Sequence, residues 1–560
     1  MFLRLKTLLI FFRKSDVMAK IKIVSLGGLN ENGKNTYVVE IDEKIFILDC
    51  GLKYANDKMF GIDYIIPDYD YLIKNKDRIV GIFLTHAHPE NMGGIKELSD
   101  ALPDIKIYCT RYTKKYLELE GISKNIYELQ AHKKITFGDI SLFPISVTHS
   151  VPDAVMYVIN TKDGAIVYTG DFIIDPSMNG KYNMDIGKIA YIGKQGVLCM
   201  LCDSAFSERD GHTSPNHRLT NFFRDSINRS KGRVIFTVLP IHLFTIEEIF
   251  EAARLTRRKV VVMGKKLQNV ISMAIEEKYL EDYSDILGDL SNINDNNALL
   301  LVCDDKEKPY VAIDRIVSGN DKFITLKNDD TILFAEPRYD ENEKVIVRLE
   351  NEIAMLGADT ISIPKNKVIN HHASKEDLML MIDLLKPKYY MPVEGEYRYM
   401  VNNANLASNL GISSNNIILK TNGEIVKIED KKLIECFEKI ELNDVLIDGN
   451  SNDDIGELVI KDREMLSENG IVLISATLSK NNKEVLVGPE VTTRGFIYIK
   501  DSKEMIDNIK KICLEIIEKH TNNNYVDYNN IKLEIRESLS KYFYNETECK
   551  PMIIAVIQEV

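Results

Sequence analysis

Thr85-His86-Ala87-His88-Pro89-Glu90-Asn91-Met92-Gly93-Gly94 follows directly on the apolar run Ile79-Val80-Gly81-Ile82-Phe83-Leu84. A short apolar run of this kind reads as a buried strand. A buried strand that ends in His-x-His can aim two imidazoles at one cation. A cation held there turns water into a nucleophile near neutral pH. The loop is lopsided, however. A version built for two metal ions would continue with Asp-His, and here the residues are Glu90 and Asn91.

Two more strand ends complete the stronger half. His149 lies in Ser146-Val147-Thr148-His149-Ser150-Val151-Pro152-Asp153, and Asp171 lies in Tyr168-Thr169-Gly170-Asp171-Phe172. Three imidazoles and one carboxylate, from His86, His88, His149 and Asp171, suit Zn2+. A second site would draw on Glu90, Asn91 and Glu394. Glutamate is one methylene longer than aspartate, and asparagine offers only a neutral carbonyl oxygen. That second site is therefore expected to be weak, and its oxygen donors favour Mn2+ or Mg2+. His372 follows a strand, and Asp203 closes the apolar run Val197–Cys202. A histidine oriented by a carboxylate could protonate a leaving oxygen. Asp49, in Leu48-Asp49-Cys50-Gly51, is placed to orient a ligand histidine from behind.

At 560 residues the chain is too long for one core. The apolar fraction of 45% and charged fraction of 28% are those of a soluble globular protein. A net charge of −13 argues against a broad basic surface but leaves room for a local basic groove. The eight cysteines are scattered, mostly inside apolar runs, which reads as reduced thiols in a cytoplasmic protein. Cys199-Met200-Leu201-Cys202 is formally C-x-x-C, but it has no second pair and lies in a strand-like run. The apolar stretch Leu8 to Phe12 is far shorter than a membrane span and short for a signal peptide. Residues 1–17 read as an N-terminal extension ahead of Met18-Ala19-Lys20-Ile21, and no membrane association is expected.

From Lys20, short β-rich runs alternate with Gly and Asp turns and with helical stretches such as Tyr112–Gly121. This predicts an α/β sandwich of two sheets with helices outside. From about Asn216 the pattern becomes strand–helix alternation: strand Arg233–Leu239, helix Thr245–Arg258, strand Lys259–Met263, helix Leu267–Glu277. A parallel sheet is expected there. After Asp359 the chain returns to chemistry at Asn370-His371-His372-Ala373-Ser374 and Glu394-Gly395-Glu396, as if one domain were inserted into another. A polar stretch reads as a connector, and a small α+β unit closes the chain. The expected division is 18–215 and 366–431 for the sandwich, 216–365 for the insert, 432–462 for the linker and 463–560 for the last domain.

These residues together resemble the ribonuclease J family, over nearly everything from Met18 to Val560. The landmarks are Gly27-Gly28-Leu29-Asn30-Glu31-Asn32-Gly33-Lys34-Asn35, Gly61-Ile62-Asp63-Tyr64, Cys202-Asp203-Ser204, His372-Ala373-Ser374, Gly395-Glu396-Tyr397-Arg398 and Lys550-Pro551-Met552. The resemblance implies a metallo-β-lactamase αββα sandwich, an inserted β-CASP α/β domain and a C-terminal assembly domain. It implies 5′-to-3′ exonuclease and endonuclease action on RNA in rRNA processing and mRNA decay. It further implies two divalent metals bridged by Asp171, with His372 and Asp203 in catalysis. Phosphate contact would fall on Val368-Ile369-Asn370-His371-His372, with Ser204 also at the substrate. The expected assemblies are a homodimer or homotetramer, or a hetero-oligomer with an intact paralogue.

The departures from the family are confined to metal and phosphate positions. The family's His-x-His-x-Asp-His is His86-Ala87-His88-Pro89-Glu90-Asn91 here, and its Pro-Val-His-Gly-Glu is Pro392-Val393-Glu394-Gly395-Glu396. Its Ser-Gly-His is Asn370-His371-His372, and its Gly/Ser loop is the charged Cys303-Asp304-Asp305-Lys306-Glu307-Lys308-Pro309. This pattern resembles the weaker second paralogue of some bacteria. It leaves open a nuclease with an eroded second site or a weakly active subunit beside an intact partner. A lactam, thioester or small-phosphodiester hydrolase would share the metal half but not the insert or the C-terminal domain.

Overall fold

The computed structural model describes residues 18–56, 59–304, 309–335, 340–364, 367, 371–449, 457–496, 503–521 and 526–560. Its described residues fall into two compact units, those within 18–53 and 66–444, and those within 54–65 and 445–560.

The larger unit contains the expected pair of facing sheets. One has eight strands, in the order Lys432–Ile434, Ile425–Glu429, Lys20–Gly27, Thr36–Ile41, Lys44–Leu48, Ile79–Phe83, Ile107–Cys109 and Ile126–Glu128. The other has six: Tyr389–Val393, Val197–Asp203, Gly164–Tyr168, Val155–Thr161, Ile140–Ser146 and Ile135–Phe137. Ile23, Val39, Phe46 and Phe83 of the first sheet interlock with Leu142, Tyr157, Ile166, Leu201 and Met391 of the second in one buried cluster. That apolar layer is the main driving force for the sandwich. Helices Ile186–Gln195, Lys375–Leu385 and Tyr397–Asn409 bury Ile189, Met381, Leu385 and Leu406 with Val167 and Met200 on the outer face of the six-stranded sheet.

Between Asp203 and Lys375 the chain builds a second α/β layer. Its sheet runs Lys259–Met263, Ala298–Val302, Val234–Thr237, Thr331–Phe334 and Asp359–Ser362, every adjacent pair parallel. Ile235, Leu300, Ile332 and Phe334 pack with Ile346 and Leu349 of helix Asp340–Met355. The first strand and first helix are each shorter or shifted by one or two residues from the sequence expectation, at Val234–Thr237 and Leu243–Thr256. The strands flanking this layer pair side by side, Cys199 with Tyr389 through Asp203 with Val393. Sheet pairing thus closes over the insert and brings the two strand ends together.

In the smaller unit, strands Val485–Arg494, Ile471–Leu478 and Met552–Glu559 form a sheet in that order. Helices Lys503–Thr521 and Tyr528–Thr547 bury Ile509, Cys513, Ile535 and Phe543 against Val472 and Ile474. The stretch 432–462 is more than a connector, because it holds strands Lys432–Ile434 and Val445–Ile447 and the start of helix Glu457–Asn469. That helix exposes Val459, Met465 and Leu466, so its sequence lacks a clear buried stripe.

A buried ion pair fastens the inserted layer. Arg233, fully buried, donates from Nε to Asp330 Oδ1 at 2.9 Å and from Nη2 to Asp330 Oδ2 at 2.5 Å. Nη1 and Nη2 also donate to the carbonyls of Ile293 and Thr325, respectively. Every donor of such a group must be matched, and removing one partner leaves an uncompensated buried charge. We expect Asp330→Ala to destabilise the fold by about 3–5 kcal/mol, seen as a lower urea midpoint. The double variant Arg233→Met/Asp330→Leu should recover most of that loss. An unchanged midpoint in Asp330→Ala would contradict the assignment.

Candidate metal centre

Strand ends from both sheets supply the site. Lys44–Leu48 and Ile79–Phe83 are parallel neighbours, Leu48 opposite Phe83, so Asp49 and Thr85 emerge together. In the second sheet, Gly164–Tyr168, Val197–Asp203 and Tyr389–Val393 are also parallel. Their carboxyl ends deliver Asp171, Asp203 and Glu394 to one edge, the usual place for a ligand in such a sheet. His149 follows the end of strand Ile140–Ser146.

His86, His88, His149 and Asp171 each offer one ligand atom, and these four atoms lie within 4.8 Å of one another. All four residues are buried. The rings of His86, His88 and His149 stand 4.4–4.7 Å apart between centroids. His86 Nε2 and Asp171 Oδ1 are buried without a hydrogen-bond partner among the described residues. The contact between His86 Nε2 and Asp171 Oδ2, 3.5 Å, is longer than a hydrogen bond. Buried lone pairs left in this state are costly unless a cation takes them. Three imidazoles and a carboxylate are a donor set that could hold a divalent metal ion.

Burial holds these rings neutral, the state a metal needs. It pushes His86 down to about 3, with a smaller push from His372. It also drives His88 and His149 well below the usual imidazole range. Burial raises Asp171 well above the carboxylate range, and the charges of Glu394 and Asp203 add to this.

Asp49 orients His86 through Thr85 rather than by direct contact. Its carboxylate accepts from Thr85 N at 2.7 Å and Thr85 Oγ1 at 2.8 Å, and from Tyr168 OH at 2.7 Å. Thr85 Oγ1 in turn lies 2.8 Å from His86 Nδ1, which leaves Nε2 for the centre. Burial still lifts Asp49 to about 6, against the pull of Asn91, Thr85 and Tyr168. Gly51 is required next door, since a Cβ there would stand 1.6 Å from the Glu90 carbonyl oxygen and displace the loop.

The second half differs from the sequence expectation. Asp171, His372 and Glu394 form the other group within 4.8 Å, and Glu90 belongs to neither group. Asn91 turns its amide nitrogen to Asp49 Oδ2 at 2.9 Å, because a neutral amide can donate where a ligand must accept. Glu90 acts at longer range, its charge helping to raise His372. Glu394 accepts from Asn35 Nδ2 at 2.7 Å, and its Oε2 is buried without a partner. Burial, then Asp203, pushes Glu394 up to about 7.

His372 and Asp203 do meet: Nδ1 lies 3.0 Å from Asp203 Oδ2 and 3.8 Å from Asp171 Oδ2. Burial lowers His372, but Asp203 outweighs it and the ring is raised to about 9. Ser204 is placed differently from the expectation. It is buried, donating to the Cys202 carbonyl and accepting from Asn403, because the turn after the strand points its hydroxyl inward. Val368, Ile369 and Asn370 lie outside the described residues. His371 is buried, its ring 4.2 Å from His242 and 5.4 Å from His88 between centroids. Thr85, Asn35 and Ser150, which sits 3.2 Å from His88 Nε2, carry functional contacts that sequence reasoning missed. Asn35 was visible only as part of a landmark.

Four family models match the chain. They are the metallo-beta-lactamase superfamily over residues 29–183, the ribonuclease J beta-CASP domain over 231–353, the Zn-dependent metallo-hydrolase RNA specificity domain over 366–418, and the ribonuclease J C-terminal domain over 458–560. Ribonuclease J2 of Bacillus subtilis (strain 168) is 34% identical over 549 residues, covering 96% of this chain and 99% of that protein. The chain belongs to the ribonuclease J family. Ribonuclease J 2 of Staphylococcus aureus (strain NCTC 8325 / PS 47) is 31% identical, covering 96% and 98%. A crystal structure of a protein of unknown function from Enterococcus faecalis V583 overlays with TM-score 0.50 at 14% identity, covering 73% of this chain and all of that one; it shows likeness of fold alone. Ribonuclease J membership accounts for the metallo-β-lactamase sandwich, the β-CASP insert and the C-terminal unit. Among the described residues no helix is long and apolar enough to cross a membrane.

Outer contacts that fix a ligand imidazole are worth a measurable share of metal affinity. We expect Thr85→Val to bind zinc roughly 10–100-fold more weakly than the native chain, read by competition with a chromophoric chelator. Equal affinity would show that the Asp49–Thr85–His86 chain does not orient the ring.

Proposed function

We propose that the protein hydrolyses RNA phosphodiester bonds with divalent metal, as a 5′-to-3′ exonuclease and endonuclease of RNA processing and decay. The observation that supports this reading is the convergence of His86, His88, His149 and Asp171 beside the His372–Asp203 pair, in a chain of this family. His86, His88, His149 and Asp171 would hold Zn2+. Asp171 and Glu394, with Glu90 and Asn91 at the margin, would hold Mn2+ or Mg2+ more weakly. A divalent ion bound here supplies a Lewis acid for the phosphoryl oxygens and lowers the pKa of water.

The chain's own residues supply the rest. Asp171 belongs to both groups and sets their separation. Asp203 accepts from His372 Nδ1, which fixes the ring and leaves Nε2 free of that bond. From Nε2 the ring would give a proton to the departing 3′ oxygen. His371 and the segment Val368-Ile369-Asn370 are proposed to contact the phosphate backbone. The C-terminal unit would serve assembly, as a homodimer or homotetramer or with an intact paralogue. The free cysteines, six of them buried, fit a cytoplasmic setting.

The test is degradation of 5′-monophosphorylated RNA with Mn2+ present. We expect His86→Ala to abolish turnover and His372→Ala to lower kcat by roughly 10²–10⁴-fold. Equal rates in native protein and His86→Ala would reject the mechanism. Efficient hydrolysis of a chromogenic lactam or ester would overturn the nucleic-acid assignment.

A further inference from the structure

Phe206 is half-buried on the turn that follows strand Val197–Asp203. Two of its neighbours are His372 and Arg209. Its ring meets His372 edge-on, with centroids 5.1 Å apart and planes at 67°. The Arg209 guanidinium lies 5.5 Å over its centroid.

The turn is held firmly. Ala205 N donates to Asp203 Oδ1 at 2.8 Å, and the Ser207 hydroxyl donates to the Tyr399 carbonyl at 2.7 Å. Ser207 N donates to the Ser204 carbonyl at 3.0 Å, Arg209 N to the Phe206 carbonyl at 2.9 Å, and Lys375 N to the Arg209 carbonyl at 2.9 Å. A large apolar ring kept partly in water loses burial energy, so a pinned turn that presents one needs a reason. An aromatic ring and a guanidinium plane are the two side-chain surfaces on which unstacked bases stack. Arg209 also adds a positive charge suited to phosphate.

We propose that Phe206, with Arg209 over its ring, is a stacking platform for one nucleobase of single-stranded RNA, the base carried by the nucleotide whose phosphate faces His372. The platform lies one ring away from His372, within reach of a single nucleotide. It accepts any base, since each has a π-face. Phe206 is a positioning residue here, and its role rests on the RNA reading above.

The chain contains no tryptophan, so Phe206→Trp introduces a sole indole at the platform. The probe is a fluorescein-labelled single-stranded oligoribonucleotide, with anisotropy reporting binding and indole emission reporting stacking. Quenching should follow the anisotropy curve, and an abasic oligomer of the same length should bind without quenching. Phe206→Leu should bind the oligomer roughly 5–150-fold more weakly, with Phe206→Tyr restoring affinity; this pair decides the matter if the tryptophan variant misfolds. Binding without quenching, together with native affinity in Phe206→Leu, would overturn the platform and leave the RNA reading standing. No binding of RNA by the native chain would overturn both.

Discussion

The structure depends on buried lone pairs that lack a hydrogen-bond partner among the described residues. His86 Nε2, Asp171 Oδ1 and Glu394 Oε2 are out of water and without hydrogen-bond partners. A buried, unmatched polar atom costs on the order of 1–3 kcal/mol. Folding accumulates several at one point because parallel strands from both sheets end there. A cation resolves the conflict, and the surrounding burial keeps the imidazoles neutral enough to accept it. The sandwich core, the closing of the sheet over the insert and the glycine at position 51 all serve to hold those ends in register.

The two halves of the centre are unequal for a chemical reason. The first has three nitrogens and a carboxylate, oriented from behind by the Asp49–Thr85 chain. The second has two carboxyl groups and an imidazole already engaged by Asp203. Asn91 supports the first half, because its amide nitrogen adds a donor to Asp49. Glu394 compensates in part, since Asn35 steers it and leaves one oxygen toward Asp171 and His372.

Much of this was legible in the sequence. His86, His88, His149 and Asp171 each follow an apolar run, and a strand end fixes direction well enough to predict convergence. Strand Ile471–Leu478 and helix Lys503–Thr521 carried equally plain periodicity. What escaped was long-range or ambiguous. Thr85 looks like any β-branched residue at the end of a strand, and only the fold shows it bridging Asp49 to His86. Asn91 looks like a poor ligand, and its role as a donor appears only beside Asp49. The ring contact of His242 with His371 joins residues far apart in the chain, which no local pattern reveals. Helix Glu457–Asn469 lacks a clear apolar stripe, so the stretch before it read as a connector.

The two adjoining groups are proposed to bind cations with very different strength. Native mass spectrometry of the purified chain, dialysed against micromolar zinc, counts the ions directly. One retained zinc per chain, lost in His86→Ala, with a second ion entering only at millimolar Mn2+, is the expected result. No retained ion, or two zinc ions held alike, would contradict it.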